Sequence, residues 1–215
     1  MLLTRLQHQL SALYETPVEH CIMDFLVTDA RLAASLAADT SGQQKREQLL
    51  LRQFDGCLDI SIYIDQDILN ALADEDPCER LTANNLNDFL IALEGVSHFN
   101  YVLWNAVYEK SVTQLELELQ AEVDKFVTAT TLLFNQGAYS AVESFHEALF
   151  MNVSFDNELN KQDEARYRAA NHYAAKYCDG LSRRFPRQHR EPSFINELRR
   201  FYRMPQNEKI RMIVS

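Results

Sequence analysis

The sequence is poor in glycine, proline and long apolar runs. Five glycines and five prolines in 215 residues supply few of the turns that a loop-rich all-β fold requires. The apolar stretches, such as LIAL and YVLW, are far shorter than the roughly 20 residues that cross a membrane. The first ten residues carry Arg5 and His8 where a secretion signal would be apolar. We therefore expect a globular protein without a membrane association.

Motifs that name a reaction are also missing. The four cysteines are widely spaced and form no CxxC pair, which is typical of reduced thiols in a cytoplasmic protein. The glycines are isolated, so no phosphate-binding loop or dinucleotide fingerprint is present. No serine or cysteine lies in a nucleophile motif. The sequence predicts no cofactor and indicates no particular reaction.

Charge is distributed unevenly along the chain, whose formal net charge is −10. Residues 181–215 contain nine Arg or Lys and three Glu, a net of +6. Of 21 basic and 31 acidic residues, 12 and 28 therefore remain in residues 1–180, a net of −16. This asymmetry predicts an acidic domain, 1–180, and a basic segment, 181–215, that docks on the domain or on a partner.

Apolar periodicity predicts a mainly α-helical α+β fold. A helix–turn–helix arrangement, 85–110 followed by 112–136, should form an antiparallel hairpin in the middle of the protein. A match to a capping box places the start of the second helix at Ser111. We expect the first of these helices to be the most buried helix in the chain. Further helices are expected at 2–15, 29–39, 66–73, 140–150, 162–179 and 194–204.

A small antiparallel sheet of about three strands is also expected. Two runs with β character, within about 47–65, flank Asp55-Gly56, which favours a hairpin turn. Alternation in the second run predicts one apolar face and one wet face. The short apolar run 21–27 is the third candidate strand. Residues 152–160 and 183–192 are expected to be loops.

Polar groups on the first central helix suggest a possible site. At about 100° per residue, a stripe roughly 80° wide contains Glu94, His98, Tyr101, Asn105 and Tyr108. Glu94 and His98 can touch at i,i+4 and could act as an acid–base couple or as metal ligands. Glu122 on the second helix could join them, which makes Glu94, His98, Tyr101 and Glu122 the catalytic candidates. The alternative is a structural polar stripe. Gly95 indicates a close backbone approach, and Phe99 and Trp104 should be core residues.

Glu143 and His146 are weak metal candidates, because Glu-x-x-His occurs in di-iron bundles. Such a site needs a second motif and two further glutamates, which the sequence does not supply, and both side chains are expected to face water. No stoichiometric metal is therefore predicted.

Arginines in the basic segment are the candidate binding residues. Interleaved with Phe185 and Tyr202, they could contact phosphate or carboxylate groups. They are Arg183, Arg184, Arg187, Arg190, Arg199, Arg200 and Arg203. We expect Phe194, Leu198 and Phe201 to anchor this segment.

Three hypotheses on function remain open at this point. The favoured one is a cytoplasmic, non-enzymatic protein-binding or assembly module that contacts a partner protein or a second copy of itself. The alternative is a helical, possibly metal-dependent enzyme with a Glu/His site between the central helices. A third hypothesis is nucleic-acid binding through the arginine-rich segment. It is the weaker alternative, because a protein with a pI near 5.1 is acidic overall and repels phosphate groups.

Overall fold

The chain forms a mainly helical α+β fold, as predicted. The computed structural model describes residues 1–37, 45–54, 57–151, 160–186 and 191–215. The helices in these ranges are α1 (Leu2–Tyr14), α2 (Ala30–Leu36), α3 (Gln66–Asp74), α4 (Leu86–Val107), α5 (Gln114–Asn135), α6 (Tyr139–Phe150), α7 (Lys161–Arg184), α8 (Pro192–Arg203) and α9 (Gln206–Val214). Within the described residues, no helix is both long and apolar enough to cross a membrane.

The three-stranded sheet is mixed rather than antiparallel. Its strands are β1 (Leu26–Val27), β2 (Glu47–Phe54) and β3 (Cys57–Ile64), in the order β1-β3-β2. The predicted hairpin is present, with β2 and β3 antiparallel from Glu47↔Ile64 to Phe54↔Cys57. Its Asp55-Gly56 turn lies outside the described residues. β1 pairs parallel to β3, so the antiparallel prediction is wrong for this strand. The chain crosses to the far edge through α2, and β3 then returns in the direction of β1.

Two smaller expectations about this region are also corrected. Of the predicted strand 21–27 only β1 is strand, because Ile22–Asp24 forms a 3-10 turn that buries Ile22. The second face of β3 is not wholly wet, since Tyr63 is buried against Ala33 and Leu50 under α2. Asp29 caps α2, accepting hydrogen bonds from two backbone N–H groups of the first turn.

The central hairpin is formed by α4 and α5. Hydrogen bonds join Tyr101 to Glu116 and Ser97 to Asp124, so residue numbers rise on one helix as they fall on the other. Each helix has 22 residues, of which 13 are buried in α4 and 14 in α5. The prediction that α4 is the most buried helix is therefore wrong by a small margin. The reason is that both helices are covered on several sides. Phe99 and Trp104 are core residues, as predicted.

The start of α5 differs from the prediction by two residues. Thr113, rather than Ser111, is the N-cap, and its hydroxyl accepts a hydrogen bond from the Glu116 N–H at 3.1 Å. The chain needs the intervening residues to reverse direction, and Glu109 adopts a left-handed φ of 52° in this link.

Gly95 allows α4 to lie directly on the sheet. A Cβ at this position would lie 3.1 Å from Cγ of Glu47 and 3.3 Å from the Cδ1 atoms of Ile62 and Ile64. This confirms the predicted close approach, and the neighbour is the inner face of the β2–β3 hairpin. The approach brings Glu47 against the polar stripe of α4.

The C-terminal segment contains more helix than predicted. α7 continues to Arg184, so Arg183 and Arg184 are helical rather than part of a loop, and α9 had not been predicted at all. Phe194, Leu198 and Phe201 of α8 are each at most 1% exposed. Two arginines of α8 hydrogen-bond the last carbonyls of α1: Arg199 to Leu13 at 2.8 Å and Arg203 to Tyr14 at 2.9 Å. Cationic groups at a helix C-terminus are stabilising there.

Candidate functional site: two buried polar groups on α5

α5 presents buried polar side chains on two opposite sides. Glu118, Glu122 and Lys125 follow one another by four and three residues, and therefore lie on one side of the helix. Glu116, Gln120 and Asp124 follow by four and lie on the other. Because neighbouring elements cover both sides, each row of polar groups meets partners inside the protein rather than solvent.

The first group, called here the charged cluster, lies between α5, α4 and the sheet. His98 Nδ1 is 3.4 Å from Glu47 Oε1, and His98 Nε2 is 3.7 Å from Glu118 Oε2. Lys125 bonds Glu94 and also lies 2.8 Å from Glu122. Arg166 of α7 approaches Glu118 to 3.8 Å at the edge of the cluster. The members are Glu47, Glu94, His98, Glu118, Glu122 and Lys125.

Burial and neighbouring charges act in opposite directions on the pKa values in this cluster. Burial alone would lower the pKa of His98, but the carboxylates of Glu47, Glu118 and Glu94 outweigh it and raise the pKa to about 9. Burial raises the pKa of Glu118 to about 7, against the lowering effect of His98. The carboxylates also raise the pKa of Lys125 despite its burial. At neutral pH the cluster therefore holds an imidazolium and an ammonium among four carboxyl groups.

Three members of the charged cluster could hold a metal ion. Glu47, Glu94 and His98 each offer one ligand atom, and these atoms lie within 4.8 Å of one another. Glu94 and His98 lie one turn apart on α4, and Glu47 is the first residue of β2. The close approach of α4 to the sheet at Gly95 brings Glu47 next to the other two.

The second group, called here the hydrogen-bonded network, lies on the other side of α5. Asp124 accepts hydrogen bonds from Tyr14, from Ser97 at 2.6 Å and from Gln120 at 3.0 Å. Lys209 of α9 is fully buried and donates to the Tyr101 hydroxyl at 2.9 Å and to Gln120 Oε1 at 3.0 Å. Tyr101 in turn donates to Glu116 at 2.6 Å. The members are Tyr14, Ser97, Tyr101, Glu116, Gln120, Asp124 and Lys209.

In this network, burial shifts two charged groups, Asp124 and Lys209, toward their neutral forms. It raises the pKa of Asp124 to about 6, although Ser97, Tyr14 and Gln120 donate hydrogen bonds to the carboxylate. It lowers the pKa of Lys209 to about 7, against the attraction of Glu116 and Asp124. Hydroxyl and amide groups satisfy these side chains without supplying enough charge to offset desolvation.

The structure separates the four catalytic candidates of the sequence. Glu94, His98 and Glu122 lie together in the charged cluster, joined through Lys125 and the neighbouring carboxylates. Tyr101 points into the hydrogen-bonded network, bonded to Glu116 and Lys209. The polar stripe on α4 therefore contributes residues to both the charged cluster and the hydrogen-bonded network, because both polar rows of α5 contact it.

The weak metal candidates do not lie together with further ligands among the described residues. Glu143 is exposed. His146 was predicted to face water, but it is half-buried. Its Nε2 lies 2.8 Å from the Ala175 carbonyl, and its ring contacts Phe126. The prediction fails because α7 covers a side of α6 that carries polar residues.

Arginines of the basic segment have partners within the chain. Arg183 pairs with Asp179 at 2.7 Å and Arg184 with Glu197 at 3.0 Å, while Arg200 lies 3.8 Å from Glu197. Arg199 and Arg203 bond the end of α1. Arg187 and Arg190 lie outside the described residues.

An apolar groove of about 320 Å³ lies at the far end of α4. It runs between residues 16–20, the start of β3 and the last turn of α4, and Trp104 forms part of its wall. Four large apolar side chains that line it are exposed: Val18, Leu58, Val107 and Tyr108, at 37, 42, 58 and 57%. Exposed apolar side chains that gather in one concave place mark interaction sites.

This groove lies at an open edge of the sheet. β1 pairs with β3 only at Ile62 and Tyr63, so among the described residues no strand pairs with the earlier part of β3 on that side. The Ile62 N–H bonds Phe25 on the β1 side at 2.9 Å. Since backbone groups alternate along a strand, Leu58 and Ile60 direct their N–H and C=O groups toward the same open side.

No protein-family model, curated protein or solved structure matches the chain.

Sequence reasoning missed Glu47, Asp124, Gln120 and Lys209. The run ELELQAEVDK alternates polar and apolar residues, which hides two helical rows of spacing four. The spacing of four could have identified Gln120 and Asp124 as members of one helical row. No sequence pattern indicates that Glu47 and Lys209 are buried, because a charged residue at a strand start or in a short helix is ordinarily solvated.

Proposed function

We propose that the protein is a non-enzymatic protein-binding module, and that its apolar groove receives one extended segment of a partner protein. The observation that carries the proposal is the coincidence of the groove with the open edge of β3. An added strand would gain main-chain hydrogen bonds from Leu58 and Ile60 and would place alternate side chains into the groove. Unpaired edges that remain exposed are otherwise a hazard.

The size of the groove favours a single extended segment over a second copy of the chain. Residues of β3, α4, α1 and the segment 16–20 line a volume of about 320 Å³. That volume suits the side chains of one segment. The net charge of −10 favours a partner segment with basic residues between its apolar ones.

Other features support this proposal over the two alternatives. The charged cluster is filled by its own ion pairs, and His98 is only 6% exposed, which gives a substrate little access. The described arginines of the basic segment are engaged by Asp179, Glu197, Glu15 and the end of α1. The proposal includes a cytoplasmic location, which the free thiols of Cys21, Cys78 and Cys178 support.

The single tryptophan gives a direct test, because Trp104 lines the groove. Peptides of twelve residues selected from a random display library should bind the full chain and change its tryptophan fluorescence. We expect a shared pattern of alternating apolar residues with Lys or Arg. Val107→Lys should weaken binding at least tenfold, whereas Met151→Lys, at an exposed apolar residue outside the groove, should not change it.

Amide hydrogen exchange then tests the mode of binding. Bound peptide should slow exchange at Leu58 and Ile60, while Asp59 and Ser61, whose N–H groups face β2, are protected with or without it. Peptides that bind without protecting Leu58 and Ile60, or that bind the Val107→Lys protein equally well, would refute the proposal. So would a dimer that protects the same two amides as concentration rises.

A further inference from the structure

Three groups in the charged cluster are arranged as ligands of one cation. Glu47 Oε1 and His98 Nδ1 are 3.4 Å apart. Two ligands that each lie roughly 2.1 Å from a tetrahedrally coordinated ion are separated by about this distance. Glu94, whose Oε2 bonds Lys125, supplies a third ligand atom, a carboxylate oxygen within 4.8 Å of the other two.

The other nitrogen of His98 supports this arrangement independently. Its Nε2 is buried and has no hydrogen-bond partner among the described residues, and it faces Glu118 at 3.7 Å. Imidazoles that bind a metal through one nitrogen almost always donate the other N–H to a carboxylate or a carbonyl. Glu118 is placed to accept that hydrogen bond once His98 moves slightly.

The balance of charge leads to the same conclusion. Lys125 pairs with Glu94 and Glu122, while Glu47 pairs only with His98. Glu118 lies 3.8 Å from Arg166, which also pairs with Asp163 at 2.6 Å. With His98 neutral, the carboxylates therefore outnumber the cations in a largely buried place, where uncompensated charge is costly. A divalent cation would offset this excess.

We propose that Glu47, Glu94 and His98 form a binding site for one divalent transition-metal ion, with Glu118 as the carboxylate that orients His98. The combination of imidazole and carboxylate ligands suits Zn²⁺, Mn²⁺ or Fe²⁺, whereas Mg²⁺ and Ca²⁺ prefer oxygen ligands alone. This differs from the prediction of no stoichiometric metal, because the sequence alone does not indicate that Glu47 reaches α4. The site is separate from the groove, and does not depend on the proposed function.

Zinc titration of the chelator-treated full chain, followed by calorimetry, tests the proposal. We expect one Zn²⁺ per chain with a dissociation constant below about 1 µM, and a rise in Tm when zinc is present. Glu47→Gln should weaken binding at least 100-fold, and Glu118→Gln by 10- to 100-fold. His172→Gln, at an exposed histidine of α7, is the matched control and should bind as the unaltered chain does.

Co²⁺ supplies a second readout that does not depend on any variant. Bound to the unaltered chain, it should show visible absorption typical of nitrogen and oxygen ligands, and His98→Gln should abolish it. Far-UV circular dichroism checks that each variant is folded. Absence of zinc binding by the unaltered chain, or equal binding by Glu47→Gln and His172→Gln, would overturn the proposal and leave the cluster as an ion-pair network.

Discussion

The two sides of α5 bury polar groups in opposite ways. The charged cluster compensates charge with charge, so that both of its nitrogen bases, His98 and Lys125, have raised pKa values. The hydrogen-bonded network surrounds its charges with hydroxyl and amide groups, and the pKa values of Asp124 and Lys209 move toward neutrality. The same helix therefore offers two environments, which differ mainly in the partners that surround the charged groups.

This difference sets how each side should respond to change. Removing one partner from a set of buried charges leaves another charge unpaired, which costs far more than the net value of the pair. Removing one hydroxyl from a network of neutral donors leaves the remaining hydrogen bonds in place. Substitutions in the charged cluster should therefore be the more destructive.

The largest effect is expected for Lys125→Met. Methionine keeps much of the volume of the lysine stem but leaves Glu94 and Glu122 without their ammonium group. We expect the free energy of unfolding to fall by about 3–5 kcal/mol, measured by urea denaturation at pH 7.

Arg183→Met is the control for this substitution. Arg183 pairs with Asp179 on the surface, where its side chain is 78% exposed. A change of about 0–1 kcal/mol is expected. Equal losses for Lys125→Met and Arg183→Met would show that the cluster is not desolvated in solution.

Next in size is a pH-dependent effect of Lys209. Its folded pKa of about 7 lies below the unfolded value of 10.5, so the unfolded chain binds more protons between these two values. The stability of the unaltered chain relative to Lys209→Met should therefore rise from pH 7 to pH 9, by on the order of 2 kcal/mol. Below pH 7 the lysine is protonated in both states and this contribution no longer changes.

Urea unfolding of both proteins at several pH values measures that difference. Subtracting one curve from the other removes the contribution of groups whose ionisation does not depend on Lys209, such as His98. A difference that stays constant from pH 7 to pH 9 would mean that Lys209 is charged in the folded protein.

The parts of the structure that the sequence predicted are those that depend on local patterns. The helix hairpin, the β2–β3 hairpin and the anchors of α8 follow from local periodicity and turn chemistry, and these were predicted. The close approach at Gly95 was predicted as well, because a glycine inside a helix carries a cost that packing must offset. Local sequence patterns were sufficient to predict those features that depend mainly on a single helix or hairpin.

Contacts between distant elements could not be predicted in the same way. Glu47 reaches His98 across 51 residues and Lys209 reaches Tyr101 across 108, and neither residue has an unusual neighbourhood in the sequence. The direction of β1 likewise depends on which edge the hairpin joins. The separation of Tyr101 from Glu94 and His98 depends on how α5 crosses α4, which the stripe on α4 alone does not specify.

A smaller effect is expected for Gly95→Ala, which would push the sheet away from α4. The added Cβ would meet Glu47 at 3.1 Å, and both Ile62 and Ile64 at 3.3 Å. Overpacking costs about 1–3 kcal/mol, from which up to about 1 kcal/mol of improved helix propensity is subtracted. A net loss of about 1–2 kcal/mol is expected, with weaker contact between Glu47 and His98.

Gly180→Ala provides the matched control, since a Cβ at that position in α7 meets nothing within 4 Å. That variant should gain about 0.5–1 kcal/mol from propensity alone. If Gly95→Ala is stabilised as much as Gly180→Ala, then α4 and the sheet do not approach each other as described.

The smallest effect is expected in the hydrogen-bonded network, for Tyr14→Phe. The ring stacks on Tyr202 and its packing would be kept, while the hydroxyl that donates to Asp124 is removed. Ser97 and Gln120 still donate to the carboxylate, so no buried charge is left without a partner. We expect a loss of about 1 kcal/mol by urea unfolding, against less than about 0.5 kcal/mol for Tyr139→Phe, whose side chain is exposed. A loss as large as that of Lys125→Met would show that Asp124 depends on a single donor, and the difference between the two sides of α5 would then disappear.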